Sequence, residues 1–414
     1  MAQRILIARP STKRSGRRRP IVLYRLTPWW AKVFAVWLAS RAITTSLMLL
    51  FAGWQPKNPW TAAHPSYLAF SQFWDSGWYH TVAVSGYPSE LPMTAAGRVA
   101  ENAWAFLPGY PILVRALMVA TTLPWEPVSV FVSVAFSLAT ALVFYRLCLL
   151  RLPSETALFS VVLFCVAPLS PILQVSYAES MYLFLLAVAL YLLLRRRYGI
   201  LVPVIAVMSL TRPSGLAFAL ALFLHVAHRW LTRDSDPFPT RDRVAALLLA
   251  GFSTLMSFAW TVIAWAVTGS ATAYTDTELA WRAPYIGYGT LEPFEPWLQG
   301  AAFWGALWHV GGLALWLLAV VILGFVAFLF TPTARRLGAD IRIWGASYGL
   351  YLLAVFFPQS STFRLLMPMF PLLGAVAQPR STIYRVSVVA LFIAGQFGWL
   401  YICWWDNGYD WTPP

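Results

Sequence analysis

The chain has 414 residues, of which 59% are hydrophobic and only 11% are charged. Soluble globular proteins are about one-quarter charged, so this composition excludes a chain built from water-soluble domains. The net charge of +14 does not indicate a nucleic-acid partner, because the basic residues are concentrated at the start of the chain and in short connections between apolar runs.

The first feature in chain order is a basic segment, residues 1–29, that directly precedes the first apolar run. Its basic members are Arg4, Arg9, Lys13, Arg14, Arg17, Arg18, Arg19 and Arg25. The segment has no apolar stretch of its own, so it does not resemble a cleaved signal peptide. We predict a cytoplasmic tail that lies near anionic lipid headgroups.

Apolar runs long enough to cross a bilayer, for which about 20 residues suffice, recur from residue 30 to residue 405. The candidate spans are 30–52, 127–147, 156–173, 179–194, 199–212, 214–230, 243–267, 306–330, 342–357, 364–378 and 386–404. Arginines in alternate connections mark those connections as cytoplasmic. The pattern predicts an all-α polytopic membrane protein, a single domain of about eleven transmembrane helices at residues 30–405. The N-terminus is then cytoplasmic, and residues 406–414 form an outer tail.

Two long connections fall on the outer side in this topology, residues 53–126 and 268–305. Within the first, segment 105–121 is short, contains Arg115 and is interrupted by prolines and a glycine, so we expect interfacial helices there rather than a span. Most acidic residues also fall outside, although acidic residues do not determine topology. This asymmetry indicates binding or chemistry at the outer face.

An acidic residue among large aromatic side chains stands in the first outer loop. The run is Phe73, Trp74, Asp75, Ser76, Gly77, Trp78, Tyr79 and His80. Apolar surroundings favour a raised carboxyl pKa, and a carboxylate in such a pocket can act as a general base towards a sugar hydroxyl. Aromatic faces can also stack on sugar rings. The same residues equally fit an interfacial aromatic belt with Asp75 as a helix cap.

Two arginines stand at the outer ends of apolar segments. Arg212 has no acidic residue nearby in the sequence, and Arg364 opens a predicted span. Ionisable groups at membrane depth are functional candidates, and a planar guanidinium suits a phosphate group. The structural alternative is an ion pair with Asp75 or Glu179. A third arginine, Arg41, lies inside the first span, from which it can reach the inner interface.

Further polar candidates follow along the outer side. Glu179 comes shortly after Tyr177 and opens a long apolar helix, where compensation of the helix dipole explains an acidic residue without any function. In the second long loop, Asp276, Glu278 and Trp281 either contribute to an acceptor site or form a solvated face. Neither the histidines nor the three cysteines have metal-ligand spacing, so we expect no metal site.

The order of these segments resembles that of a known family. The segments are 74–79, 106–111, 176–180, 210–215 and 363–368. Together they resemble the PIG-V type of mannosyltransferase and, more broadly, the GT-C superfamily of polyprenyl-phosphate-sugar-dependent glycosyltransferases. The resemblance covers about residues 30–405. The arginine- and tryptophan-rich composition is similar to that of actinobacterial proteins.

The resemblance implies an inverting membrane glycosyltransferase of the bacterial inner membrane. It would move a sugar, mannose in this family, from a polyprenyl-phosphate donor to a glycolipid or envelope glycan at the outer face. Asp75 matches the catalytic base of the superfamily, and Arg364 and Arg212 are expected at the donor phosphate. The candidate sugar- or acceptor-binding residues are Trp74, Trp78, Tyr79, His80, Tyr177, Glu179 and Trp281. The lipid-linked donor is a substrate, and no cofactor or metal is expected.

Two other classes of protein fit the hydrophobicity. A lipid or glycolipid transporter places its polar groups near the bilayer midplane, often in repeated halves. Here the polar groups gather at the outer ends of the predicted spans, and no halves repeat. A structural scaffold of the cell envelope leaves Asp75 and the outer arginines without a role. The transporter, or flippase, is retained as the alternative function.

Overall fold

The computed structural model describes residues 26–406. The basic residues predicted to form the tail, up to Arg25, and residues 407–414 lie outside this part. The α-helices of more than five residues in the described part are α1 (Trp29–Trp54), α2 (Asp75–Ser85), α3 (Gly109–Thr121), α4 (Trp125–Cys148), α5 (Ser154–Val166), α6 (Glu179–Leu194), α7 (Tyr198–Ser209), α8 (Gly215–Leu231), α9 (Thr240–Thr268), α10 (Ala273–Ile286), α11 (Glu295–Leu307), α12 (Leu313–Leu329), α13 (Ala339–Val355) and α14 (Thr382–Trp399).

Four helical stretches in the described part are long and apolar enough to cross a membrane. They are α1, α4, α9 and the stretch Thr382–Trp404, in which α14 continues into a π-helical turn. Shorter apolar helices include α5, α6, α7, α8 and α12. Helix α12 buries only Leu329 within the chain, as expected where lipid covers an apolar helix. These features are those of an all-helical membrane protein.

The core lies where α4, α6, α8 and α13 pack together. Helix α4 runs along α6, and α8 packs against both α9 and α13. Phe144, Leu186, Leu222 and Trp344, one from each of the four central helices, are fully buried. The 16 residues of α6 and the 17 of α8 give helices about 25 Å long, so their ends mark two separate ends of the bundle.

The candidate span 156–173 is not one continuous helix. Helix α5 ends at Val166, and a 3-10 turn, Ser170–Gln174, follows after Pro168, because proline cannot continue the hydrogen-bond ladder. Arg41 of α1 donates to the freed carbonyl oxygens of Cys165 and Ser170 at 2.8 and 2.9 Å. Arg41 is therefore a buried structural residue, and our expectation that it reaches the inner interface is wrong.

The candidate span 364–378 is also irregular. A helical turn at Thr362–Leu365 is followed by the 3-10 turn Met367–Leu372, which contains two prolines, and by a further short helix. Side chains of α13 satisfy the carbonyl groups that this geometry leaves free: Trp344 donates to Pro368 at 2.9 Å and Tyr348 to Leu365 at 2.8 Å. Irregular backbone inside a membrane protein requires such partners.

The candidate span 306–330 is divided as well. Helix α11 ends at Leu307 and α12 begins at Leu313. Between them the backbone turns through Gly311, which has a φ of +53°, a region that glycine enters without steric cost. The hydropathy of the sequence alone does not detect this turn, because apolar residues continue on both sides of it.

Candidate functional site

Four charged side chains meet at one end of the bundle and are called here the charged cluster: Asp75, Glu179, Arg212 and Arg364. Arg364 forms an ion pair with Asp75 through Nη1 and Oδ2. Its Nε lies 3.4 Å from Oε1 of Glu179, and Nη1 of Arg212 lies 3.1 Å from the same oxygen. The order of contacts is therefore Asp75, Arg364, Glu179 and Arg212. These residues come from four separate segments of the chain.

Asp75 is the most accessible member of the charged cluster. Its side chain is 19% exposed, whereas that of Glu179 is 4% exposed. Asp75 is the first residue of α2, but no side chain caps this helix, and the Asp75 carboxylate points to Arg364 instead. The interpretation of Asp75 as a helix cap is therefore not supported. An accessible carboxylate next to a cation can instead meet a ligand.

The backbone that presents Asp75 is strained. Trp74 has φ 58° and ψ −122°, a combination rarely adopted by a residue with a side chain. Such strain costs about 1–3 kcal/mol and persists only where the surroundings impose it. The hydroxyl of Tyr177 accepts a hydrogen bond from the Asp75 backbone N–H at 3.1 Å. Tyr177 is fully buried, so it fixes the start of α2 from beneath.

Glu179 is the central acid of the charged cluster. It lies between the two arginines at the first turn of α6. Both of its carboxylate oxygens are buried and accept no hydrogen bond from a described residue, although each arginine is within ion-pair distance of Oε1. Arg364 also lies over the ring of Tyr177, 5.2 Å from its centroid. Glu179 therefore supplies the second negative charge for the two arginines, because Asp75 pairs with Arg364 alone.

The variant Glu179→Gln is expected to destabilise the fold, because it leaves two poorly solvated arginines with a single carboxylate. Removing one partner of a buried ion pair costs about 3–5 kcal/mol. We expect a lower thermal unfolding midpoint in detergent than for the wild type. Glu126→Gln is the matched control, since Glu126 occupies the first turn of α4 and shares the helix-dipole effect. If both variants lowered the unfolding midpoint equally, Glu179 would contribute only through its interaction with the helix dipole.

Arg212 is held in place by a close contact between two backbone segments. The Gly109 N–H donates to the Leu210 carbonyl at 2.8 Å. A Cβ atom at position 109 would lie 2.5 Å from Oγ1 of Thr211, so only glycine fits. The sequence shows that prolines and a glycine interrupt segment 105–121, but it does not reveal that the chain at this interruption packs against the segment carrying Arg212.

Aromatic residues from both predicted outer loops lie beside the charged cluster. Trp78 stacks on Phe106 with 5.7 Å between ring centroids, and Trp281 meets both rings edge-on at 5.5 and 5.7 Å. Nearby, the side-chain amide of Asn102 donates to Thr277 at 2.9 Å. Residues 53–126 and 268–305 therefore join. The hydroxyl of Tyr79 in turn accepts a 3.5 Å hydrogen bond from Arg212, which links α2 to the cluster.

Two tryptophans near the charged cluster, Trp74 and Trp281, have polar atoms without hydrogen-bond partners among the described residues. The indole N–H groups of Trp74 and Trp281 are buried and make no hydrogen bond to a described residue. Buried donors are nearly always satisfied in folded proteins, so each unsatisfied one requires an explanation. Oxygens of a polar ligand would satisfy them. His80, by contrast, is exposed and stacks on Trp125 with 5.2 Å between ring centroids; the structure does not place it in the charged cluster.

The two arginine-bearing segments are also joined by tyrosines that sequence reasoning missed. Tyr351 of α13 donates to the carbonyl of Pro213, next to Arg212, and Tyr348 binds the segment of Arg364. The only sequence signal was two tyrosines three residues apart within an apolar helix. Their hydroxyl groups hold both arginines relative to α13.

Glu278 of α10 is a further acid near this end of the bundle. Burial raises its pKa above the ordinary value of 4.5, against the opposing effects of a hydrogen bond from Tyr274 and the charges of Arg282 and Arg212. Glu278 stands in the run that we predicted to be either an acceptor site or a solvated face. Its partial burial argues against a fully solvated face.

Replacement of Glu278 by Gln is expected to change the pH dependence of stability. A carboxyl group with a raised pKa in the folded state stabilises the fold at low pH, and this contribution is lost as pH rises from the unfolded pKa through the folded one. The unfolding midpoint of the wild type should therefore fall relative to that of Glu278→Gln as pH rises above 4.5. The exposed Glu292→Gln is the control, and parallel pH profiles for all three proteins would contradict the assignment.

Within residues 26–406, no group of three or more His, Cys, Asp or Glu side chains could hold a metal ion. Neither a protein-family model nor a curated protein matches the chain. The charged cluster and its aromatic surroundings are therefore the basis for assigning a function.

Proposed function

We propose that this chain is a membrane glycosyltransferase that moves a sugar from a polyprenyl-phosphate donor to a lipid-linked or cell-envelope acceptor. The observation that carries the proposal is the pair of Asp75 and Arg364, an accessible carboxylate in contact with a nearly buried guanidinium. Sugar transfer from a phosphate leaving group needs, within one site, a base for the acceptor hydroxyl and a cation for the phosphate. The order of motifs that resembles PIG-V-type mannosyltransferases favours mannose.

In the proposed reaction, Asp75 accepts the proton of the acceptor hydroxyl as its oxygen attacks the anomeric carbon of the sugar. The bond between this carbon and the phosphate oxygen breaks, and the electron pair leaves with the polyprenyl phosphate. Negative charge builds on the leaving group, where Arg364 stabilises it, with Arg212 as the second cation. Attack from the face opposite the phosphate inverts the anomeric centre.

The donor phosphate is also proposed to separate the ion pair between Asp75 and Arg364. Arg364 contacts Oδ2 of Asp75 and so occupies a carboxylate oxygen that the acceptor hydroxyl would use. A phosphate that draws Arg364 towards itself leaves Asp75 free to accept a proton. The order of binding would then be donor first and acceptor second.

Sugar binding is assigned to the aromatic residues beside the cluster. Trp78 and Trp281 supply ring faces, and the buried indole N–H groups of Trp74 and Trp281 are available to hydroxyl oxygens. Tyr79, Tyr177 and Glu179 position the charged groups. His80 remains a candidate for the acceptor only at the exposed edge of α2.

The proposal places the charged cluster at the outer face of a bacterial inner membrane. The predicted topology has about eleven crossings, counting the shorter apolar helices and the irregular segments as crossings, with the N-terminus in the cytoplasm. A hydrophobic donor then enters sideways from the outer leaflet, and the aromatic residues exclude water that would otherwise hydrolyse the sugar phosphate.

The test is transfer by the purified protein in liposomes. Polyprenyl-phosphate mannose carrying a radiolabelled sugar is supplied with an envelope lipid extract, and labelled products are separated by chromatography. We expect a new labelled product that requires both the protein and the extract. Movement of intact donor between leaflets without a new product would favour the transporter instead. The position of the cluster at helix ends, rather than at their middle, argues against a transport site.

A further inference from the structure

A second polar site lies at the opposite end of the bundle from the charged cluster. A cavity of about 300 Å³ opens there, lined by residues that follow α6, end α8 and begin α13. The same three helices reach the charged cluster at the other end of the bundle. Helix α6 begins with Glu179, α8 begins shortly after Arg212, and α13 binds the segment of Arg364 through Tyr348. Because the helices are about 25 Å long, the cavity is separate from the proposed glycosyl-transfer site.

The lining of this opposite-end cavity is predominantly basic. It includes Arg151, Arg196, Arg229 and two histidines, against two carboxylates, Asp236 and Asp340. Arg196 forms an ion pair with Asp236. One histidine, His225, lies 2.7 Å from Asp340 through Nδ1. Both lining carboxylates are therefore already partnered by lining residues.

The side chains of Arg151 and His228 remain available to a ligand. Both residues are exposed, and neither side chain makes a hydrogen bond or ion pair with a residue in the described part of the chain. Arg151 lies over the start of α13, where a Cβ atom at Gly338 would be 3.1 Å from its Nε. Gly338 has a φ of +91°, so glycine permits both this backbone turn and the approach of the guanidinium.

Arg229 supplies an independent indication of a ligand. It is 3% exposed, and its Nε is buried without a hydrogen-bond partner. Its other nitrogens are fixed, because Nη1 binds the Tyr198 hydroxyl at 3.0 Å and Nη2 the Pro237 carbonyl at 2.8 Å. The carboxylates of Asp242 and Asp236 lie 3.6 and 3.9 Å from these two nitrogens. A buried guanidinium N–H without an acceptor is costly, and Arg229 is one of the residues that line the cavity.

We propose that the opposite-end cavity binds a phosphate group. Phosphate accepts several charge-assisted hydrogen bonds at once, and arginine is the side chain best suited to donate them. The first turn of α13 adds unpaired backbone N–H groups and the positive end of a helix dipole. The phosphate belongs either to a soluble phosphate compound or to a lipid headgroup in the adjacent leaflet; the chemistry of recognition is the same.

The test compares the wild type with Arg151→Gln/His228→Gln, which replaces the two exposed lining side chains that make no hydrogen bond or ion pair within the described part of the chain. In phosphatidylcholine nanodiscs, the unfolding midpoint is followed as inorganic phosphate is added at constant ionic strength. In a second arm, phosphatidic acid replaces part of the lipid. We expect a saturable rise in one arm or both. The dissociation constant should increase about tenfold or more in the double variant, because two charge-assisted hydrogen bonds are lost.

The two arms separate the sources of the phosphate. A response to inorganic phosphate indicates a soluble compound, and a response to phosphatidic acid alone indicates a headgroup. Arg335→Gln is the control, since Arg335 is an exposed arginine near the same end that does not line the cavity. All variants keep the basic N-terminal segment, so binding there cancels. No response in either arm, or the same response in the double variant, would overturn the proposal.

Discussion

Asp75→Asn is expected to reduce sugar transfer by about 10²- to 10⁴-fold, the contribution of a general base. Asparagine keeps the shape of the side chain and can still accept a hydrogen bond from Arg364. It cannot take the proton of the acceptor hydroxyl. The initial rate of labelled product formation in liposomes measures the effect, with donor and acceptor both saturating.

The control for this variant is Glu90→Gln, which removes an exposed carboxylate from the same predicted outer loop. It should transfer sugar at the rate of the wild type. Because Asp75→Asn preserves the backbone N–H that donates to the Tyr177 hydroxyl, its unfolding midpoint should lie above that of Glu179→Gln. A well-folded Asp75→Asn protein with the wild-type rate would remove Asp75 from the role of base.

Arg364→Gln is expected to reduce turnover by about 10²- to 10³-fold, the usual loss when one group that stabilises transition-state charge is removed. The variant removes the cation that meets the phosphate leaving group. Arg364→Lys should recover part of the rate, because it keeps the charge but not the planar, two-pronged donor. Transfer is again measured with labelled donor, and the control is Arg98→Gln, which replaces an exposed arginine in the predicted outer loop 53–126.

The contact between Arg364 and Asp75 predicts how the losses of activity of the two single variants combine in the double variant. Residues in direct contact have non-additive effects. The combined loss for Asp75→Asn with Arg364→Gln should therefore be smaller than the product of the two single losses. Strictly multiplicative losses would mean that the ion pair seen between these side chains has no part in the reaction.

Much of the helical framework could be predicted because hydropathy and charge determine it. The span predicted at 179–194 coincides with helix α6, and the segment kept out of the membrane at 105–121 contains the short helix α3. The irregular segments at 156–173 and 364–378 were missed. Their prolines lie in apolar surroundings, and the groups that make the broken backbone tolerable, Arg41 and Trp344, come from distant helices.

The site was predictable as residues but not as an arrangement. Asp75, Glu179, Arg212 and Arg364 each attract notice as charged groups beside apolar runs. The sequence offered an ion pair with Asp75 or Glu179 as the alternative for each arginine, and the structure contains such pairs. Which carboxylate each arginine contacts could not be derived, since Asp75 and Arg364 are 289 positions apart in the chain. The position of Glu179 between both arginines, and the close packing at Gly109, depend on tertiary structure. His80 shows the opposite error, because proximity in sequence to Asp75 does not put it in the charged cluster.

The most direct measurement of the central claim is transfer from a single leaflet. Proteoliposomes with one orientation of the protein, established by protease access to the basic N-terminal segment, receive labelled polyprenyl-phosphate sugar in either the inner or the outer leaflet. The proposal predicts a labelled product only when the donor is in the leaflet that faces Asp75, at the end opposite that segment. Transfer from the other leaflet, or donor movement between leaflets without any product, would contradict it.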